Sequence, residues 1–265
     1  MKKYLVIGNP IEHSLSPLIH NYWMKKHSLT DSIYEKKKVE DKDLKNIIDK
    51  IRNEEISGVN VTVPFKKLII PFVDELTFLA DKAQSVNTIY KIDNKVIGDN
   101  TDIEGFEKAL KFINFKVKNK IAFILGAGGV ALSIILALKR LGIKKIFLSN
   151  RTKKESEILK KKFTDLEIIE WGKNPKFDII INATSLGLNK NDVIELDYET
   201  FGSNKLFYDV IYNPIKTNFL ENGEKEGNII ENGKMMFIYQ AQLAFKIWTN
   251  IMPEIDSKVI KILEK

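Results

Sequence analysis

The sequence predicts an α/β protein of two domains, and three observations carry that prediction. Ile121 to Leu125 is an unbroken apolar run of the kind found in a parallel strand covered on both faces. The run stops at Gly126-Ala127-Gly128-Gly129-Val130-Ala131, a G-x-G-x-x-A turn, and an apolar helix pattern follows to about Leu141, with Gly142 placed to end it. Strand and helix patterns also alternate on either side of this segment, from Tyr4 to Val210. Together these give a second domain of Rossmann type, doubly wound, preceded by another α/β domain.

Composition narrows the function classes. The 265 residues suffice for two domains that each bury a real core. With no cysteine, disulfides and thiolate metal sites are excluded, and a reducing cytoplasm is the expected setting. The first strand begins at Tyr4, which leaves no room for a signal peptide, and no apolar run has the length of a membrane span. The net charge is +7, yet the lysines are scattered without interleaved aromatics, so nucleic acid is not an expected partner. A basic surface favours a phosphorylated cofactor and a small acid instead. His13, His20 and His27 have no carboxylate or thiol at metal spacing; they read as ordinary polar or half-buried residues, and no metal is expected.

In chain order, Tyr4 to Ile7 is a short buried strand ended by Gly8-Asn9-Pro10. Ser16 followed by Pro17 reads as a helix start, with Ser16 as N-cap, and the helix runs to about His27. Capping leaves Ser14 unexplained, and two hydroxyls at a helix N-terminus suit a carboxylate ligand. Ile33 to Val39 is a partly exposed strand, and Leu44, Ile47, Ile48 and Ile51 form the apolar stripe of a helix. In the strand from Gly58 to Pro64, valines alternate with Asn60 and Thr62, so one face is core and the other presents an amide and a hydroxyl. Lys66 follows just past that strand's carboxyl end, where ligands bind in open α/β sheets, although a lysine beside Lys67 also reads as surface charge. Ser85 to Tyr90 enters a strand, Asp93-Asn94 turns a hairpin, and a helix runs from about Ile103 to Phe112 with Asp102 as an N-cap candidate.

The glycine turn has a chemical reading. Gly126 permits a tight turn, Gly128 lets the backbone approach a pyrophosphate, and Ala131 lets the helix sit close on the sheet, so a dinucleotide site is expected. The next strand, Lys145 to Ser149, ends at Asn150-Arg151-Thr152, where NAD-binding domains carry an acid. A guanidinium suits a 2′-phosphate, which favours NADP(H). Glu155 to Phe163 reads as a helix; Glu167 to Glu170, Phe177 to Asn182 and Leu206 to Val210 read as strands of the same sheet. Helices close the chain at Met235 to Ile251 and near Ile255 to Leu263.

The segments SLSP (14 to 17), NVTVPFKK (60 to 67), SVNT (85 to 88), GDNTDIEG (98 to 105), GAGG (126 to 129), SNRT (149 to 152), NATSLG (182 to 187), DVIYNP (209 to 214) and YQA (239 to 241) together resemble shikimate dehydrogenase. The resemblance covers essentially the whole chain. It implies a substrate-binding domain over 1–102, an NADP-binding domain over 103–234, and C-terminal helices over 235–265 that return to the first domain. The activity it implies is NADPH-dependent reduction of 3-dehydroshikimate to shikimate in aromatic amino acid biosynthesis. Lys66 and Asp102 match the family's catalytic pair. Ser14 and Ser16 would bind the substrate carboxylate, Asn60, Thr62, Asn87, Asp102 and Gln240 its hydroxyls, with Tyr212 bordering the site. Gly126, Ala127, Gly128, Gly129, Asn150, Arg151 and Thr152 would contact NADP(H). The family usually reads Asn-Gly-x-Gly-Met before the last long helix; here the residues are Asn232-Gly233-Lys234-Met235-Met236, with Met235 in place of a glycine near the nicotinamide end. Expected partners are the small acid and a second copy of the chain, with neither nucleic acid nor membrane. Two other readings stay open: a quinate/shikimate dehydrogenase using NAD, and a non-catalytic dinucleotide-sensing module.

Overall fold

The structure, a computed structural model, describes residues 1–189 and 191–263. The chain divides into two compact units: Met1–Gly105 with Ile238–Lys265, and Phe106–Phe237.

The first unit contains β1 (Lys2–Gly8), α1 (Ser16–Lys26), β2 (Ser32–Lys38), α2 (Leu44–Arg52), β3 (Gly58–Val61), α3 (Phe65–Leu68), β4 (Glu75–Leu76), α4 (Phe78–Ala83), β5 (Thr88–Ile92) and β6 (Lys95–Asp99). Its sheet has the order β2-β1-β3-β5-β6-β4. β1 pairs in parallel with β2 and β3, whereas β5 runs antiparallel to β3 and β6. On one face the α2 stripe of Leu44, Ile47, Ile48 and Ile51 packs with Leu5, Ile7, Val59, Val61 and Phe65. Each such side chain contributes roughly 1.5–3 kcal/mol when taken from water. β2 is the edge strand, and apart from Tyr34 it is largely open to solvent; its run of lysines guards the unpaired edge.

β3 is shorter than its alternating valines predict. The strand ends at Val61, two residues before Val63, and Val63 is 61% exposed rather than core. All four β3 residues are buried, because the sheet is covered on both faces here, so Asn60 lies in a packed interior and not on an open polar face. α4 and β4 were not expected; both are too short to show a period.

The second face of this sheet is closed from the far end of the chain by α9 (Lys234–Thr249) and α10 (Ser257–Ile262). Trp248 lies against Tyr4 and donates its indole N–H to the Ile89 carbonyl at 3.1 Å. Gly58 makes room for it, since a Cβ there would stand 2.3 Å from the indole nitrogen. Trp23 donates to the Glu254 carbonyl at 3.1 Å, and Asp256 accepts from the Tyr22 hydroxyl at 2.7 Å and from Lys26 at 2.9 Å.

The second unit holds β7 (Ile121–Leu125), α6 (Gly129–Arg140), β8 (Lys145–Ser149), α7 (Lys153–Lys162), β9 (Glu167–Ile168), β10 (Ile179–Asn182), β11 (Leu206–Asp209), α8 (Asn218–Lys225) and β12 (Ile229–Glu231), with most of α5 (Asp102–Phe112). All six strands are parallel, in the order β12-β11-β10-β7-β8-β9, which is the Rossmann order with its switch point between β7 and β10. Double-sided burial explains why β7 and β10 are continuous apolar runs. Gly142, at φ +78°, turns the chain out of α6 as expected. α8 and β12 are not among the elements the sequence pattern predicts; Gly223 lets α8 lie against the Phe207 ring, where a Cβ would come within 2.5 Å.

His20 also departs from expectation. It is fully buried, stacks on Tyr34 with ring centroids 4.2 Å apart, and meets Trp23 edge-on. Neither ring nitrogen has a hydrogen-bond partner, and burial pushes the imidazole down from 6.5 to about 3. The folded protein therefore holds His20 neutral while the unfolded chain takes up a proton below its ordinary value. Stability from this group is complete above that value and is lost as pH falls towards the folded one. Urea unfolding at about pH 7.5 and about pH 5 is expected to show a loss of roughly 2 kcal/mol that His20→Phe does not share. Equal pH dependence in the two proteins would refute the assignment.

Candidate active site and cofactor cradle

In the first unit, polar side chains gather beyond the carboxyl ends of β1 and β3. α1 begins at Ser16 with Pro17 next, but the expected cap is reassigned: Leu15 holds the N-cap position, and Ser16 is already helical. The capping-like contact comes from Ser14, whose Oγ accepts from the Ser16 N–H at 3.4 Å and donates to Ser16 Oγ at 3.3 Å. The hydroxyls thus sit together at the start of an eleven-residue helix, where the helix dipole favours an anion.

Past β3, the Thr62 carbonyl accepts from the Phe65 N–H at 2.9 Å and fixes the short turn of α3 that carries Lys66. The Lys66 carbonyl in turn accepts from the Val86 N–H at 2.8 Å, which brings this turn beside the segment leading to Asn87. The Lys66 ammonium donates to Asp102 Oδ2 at 2.5 Å, and only 12% and 7% of the two side chains remain exposed. Asp102 is the first residue of α5, not its cap; the Ile103 N–H donates to Asn100 Oδ1 at 3.2 Å instead. The Asp102 carboxylate is left for Lys66 and for Asn87 Nδ2, which reaches Oδ1 at 2.8 Å.

Asn87 is itself locked, since its Oδ1 accepts from the Thr101 N–H at 2.7 Å and its Nδ2 also donates to Thr101 Oγ1 at 3.0 Å. A flipped amide would set donor against donor. Gln240 Oε1 lies 3.5 Å from Asn87 Nδ2, which brings α9 to the same group. Asn60 Nδ2 donates to the Asn87 carbonyl at 3.0 Å and to Thr88 Oγ1 at 3.1 Å, and its Oδ1 accepts from the Tyr34 hydroxyl at 2.7 Å. Lys66, Asp102, Asn87, Asn60 and Gln240 therefore form one connected set. Thr88, Thr101 and Asn100 belong to it and were overlooked, although they stand inside the quoted SVNT and GDNTD segments. Tyr34 gave no signal, being one aromatic in a lysine-rich strand. Tyr212 lies in the second unit, stacked on Phe237 at 4.3 Å between ring centroids.

The second unit supplies a dinucleotide cradle at its switch point. Gly126 has φ +105°, and a Cβ there would lie 2.8 Å from the Ala183 carbonyl oxygen, so only glycine fits. Its N–H donates to the Ser149 carbonyl at 2.8 Å, tying the turn to the end of β8. A Cβ on Gly128 would meet nothing within 4 Å, so the backbone there is open to an incoming pyrophosphate, beside the N-terminus of α6. Ala127 is buried beneath the turn, Gly129 opens the helix, and Ala131 is fully buried against the sheet. Asn150 donates to the Thr152 carbonyl at 2.9 Å, and Arg151 stands exposed between them with Lys153 and Lys154 beyond. These residues fit a dinucleotide with an anionic ribose substituent. Met235, where a glycine was expected, is buried within the second unit, and Gly233 presses against the Val210 carbonyl, which a Cβ would approach to 2.1 Å.

An ammonium held by a carboxylate can stabilise or protonate a developing alkoxide, and the glycine cradle can hold a hydride-carrying dinucleotide. Residues 6–89 match the family model of the shikimate dehydrogenase substrate binding domain. A Pelagibacter ubique protein named shikimate dehydrogenase (NADP(+)) is 58% identical over 263 residues, covering 99% of both chains. The Thermus thermophilus shikimate 5-dehydrogenase, solved in complex with NADP(H) and shikimate, superposes with a TM-score of 0.89 at 29% identity, covering 100% of this chain and 98% of that one. The Listeria monocytogenes enzyme, solved with shikimate and NAD, gives 0.90 at 29% identity over 99% and 96%. With sequence and fold in agreement over the full chain, this protein belongs to the shikimate dehydrogenase family.

Proposed function

We propose that the protein reduces 3-dehydroshikimate to shikimate with NADPH, reversibly, as a step in making aromatic amino acids. The observation that carries this reading is the nearly buried Lys66–Asp102 contact, braced by Asn87, in a unit whose family model is a substrate-binding domain. Bound NADPH supplies the hydride. As the ketone is reduced, negative charge grows on its oxygen, and the Lys66 ammonium stabilises it and passes it a proton. Asp102 holds the flexible lysine stem in place, which an unpaired lysine could not do for itself. Ser14 and Ser16 at the start of α1 take the substrate carboxylate. Asn60, Thr62, Asn87, Asp102 and Gln240 pair with its hydroxyls, and Tyr212 borders the ring. A site built to pair hydroxyls rejects analogues that lack them.

On the cofactor side, Gly126 to Gly129 hold the pyrophosphate and Asn150, Arg151 and Thr152 the adenosine ribose. Arg151, in the place of an acid, selects the 2′-phosphate of NADP(H). The Listeria complex with NAD makes NADH the rival cofactor to test. In this reading the protein works in the cytoplasm as a homodimer, which the cysteine-free composition suits in its first part. Sedimentation velocity tests the second.

Lys66→Ala is expected to lower kcat by about 10²-fold or more with little change in KM for shikimate, since its interaction strengthens as charge develops. Ser14→Ala should instead raise that KM and leave kcat nearly intact. Steady-state kinetics separate the two, and an undiminished kcat in the Lys66 variant would remove the lysine from the chemistry. Arg151→Ala should lower kcat/KM for NADPH about tenfold or more and spare NADH. Equal loss with both cofactors would place Arg151 away from the 2′-phosphate.

A further inference from the structure

The carboxyl edge of the second sheet carries a buried carboxylate for which the chemistry above has no use. Asp209 ends β11 and is fully buried. Its Oδ1 accepts from the Ile211 N–H at 2.9 Å and from Asn182 Nδ2 at 3.1 Å, and its Oδ2 accepts from the Thr217 hydroxyl at 2.6 Å. The three donors come from the end of β10, the loop after β11 and the N-cap of α8. Burial raises the carboxyl to about 6, and these donors pull against the rise. A buried carboxylate is costly unless fully hydrogen-bonded, and an apolar side chain of similar size would hold a core with less penalty. Its geometry suggests why a carboxylate stands here.

Asn182 relays the constraint. Its Oδ1 accepts from the Thr184 N–H at 3.0 Å and the Thr184 hydroxyl at 2.7 Å, while its Nδ2 also donates to the Leu186 carbonyl at 3.0 Å. The loop after β10 is thereby folded back on itself. Between Asn182 and Thr184, the Ala183 carbonyl rests on Gly126, the first residue of the glycine turn, and the Ala183 N–H donates to the Leu125 carbonyl at 2.8 Å. One carboxylate thus fixes both loops that leave the sheet beside the switch point.

We propose that Asp209 is a positioning residue for the dinucleotide: through Asn182 it seats loop 183–187 against the glycine turn, and through the Ile211 N–H it sets the start of loop 210–216. The nucleotide then meets a preformed wall and does not have to order one, which lowers the cost of binding. This inference rests on the cofactor reading above. Asp209→Asn keeps an acceptor for Asn182 and Ile211, and the Thr217 hydroxyl can turn to accept from the new amide; Asp209→Ala removes all three bonds.

NADPH titration of the full chain, read by nicotinamide fluorescence, tests the proposal, alongside thermal melting and calorimetric titration with shikimate. Asp209→Ala is expected to weaken NADPH about tenfold or more, with shikimate affinity moving less than about twofold, and Asp209→Asn to stay within about threefold for NADPH. Asn182→Ala cuts the relay but leaves Asp209 its other partners; it is expected to weaken NADPH in the same way and carries the test if Asp209→Ala does not fold. Unchanged NADPH affinity in either folded alanine variant overturns the proposal, as does equal weakening of both ligands, the mark of a merely structural role. Wild-type protein that binds shikimate and not NADPH would overturn the cofactor reading instead.

Discussion

The contact between the Lys66 ammonium and the Asp102 carboxylate is the interaction on which the first unit is arranged. Removing both charges from water is expensive, and apolar side chains would hold a core more cheaply, so stability alone does not explain the pair. What surrounds it is a hydrogen-bonded scaffold in which each group fixes the next. Backbone Thr101 sets the Asn87 amide, Asn87 sets Asp102, and Asp102 sets Lys66. Because the first link is a main-chain N–H, the orientation of the whole set is decided by the path of the chain between β6 and α5. The ammonium of a flexible side chain is consequently held by a nearly buried, hydrogen-bonded surrounding, which suits the stabilisation of a developing alkoxide.

The second unit applies the same logic with main-chain groups. Its parallel sheet changes strand direction of progression between β7 and β10, and the glycine turn, the helix start and the Ala183 carbonyl all meet there. On the proposed cofactor reading the pyrophosphate would meet main-chain N–H groups, with no side chain at Gly126 or Gly128 in the way. On the same reading, side chains enter at the adenosine end, where Arg151 would distinguish one nucleotide from another, and behind the loops, where Asp209 accepts from Asn182 and Ile211.

Much of this was legible in the sequence, and the misses have physical causes. The bounds of β7 and β8 are those the sequence predicts; for β7 the reason is plain, because a strand buried on both faces announces itself as an apolar run and the glycine turn marks its end. β3 is shorter than its pattern: Val59, Val61 and Val63 alternate perfectly, yet the pairing with β1 stops at Val61 and that with β5 at Asn60, and a pattern cannot see where its partner ends. Ser16 and Asp102 both carry the chemistry of N-caps, but each stands one position inside its helix, and the helix starts are served by Ser14 and Asn100. Lys66 and Asp102 lie 36 residues apart, so only the resemblance to a family paired them; no local rule would. A histidine in a helix gives no sign of being sealed among four other aromatic rings, three of which, Tyr34, Phe245 and Trp248, fold onto it from elsewhere in the chain.

The seat of Trp248 has a consequence for how the chain is born. Residues 106–237 are contiguous and can close on themselves as soon as they leave the ribosome, whereas the sheet that begins at Lys2 lacks its aromatic lid until Trp248 and the segment to Asp256 emerge. The middle of the polypeptide can therefore finish before the amino-terminal sheet, which waits for the segment that carries Trp248 and Asp256. Truncation before Trp248 would leave the amino-terminal sheet with its indole socket open, an exposed apolar surface of the kind that chaperones recognise.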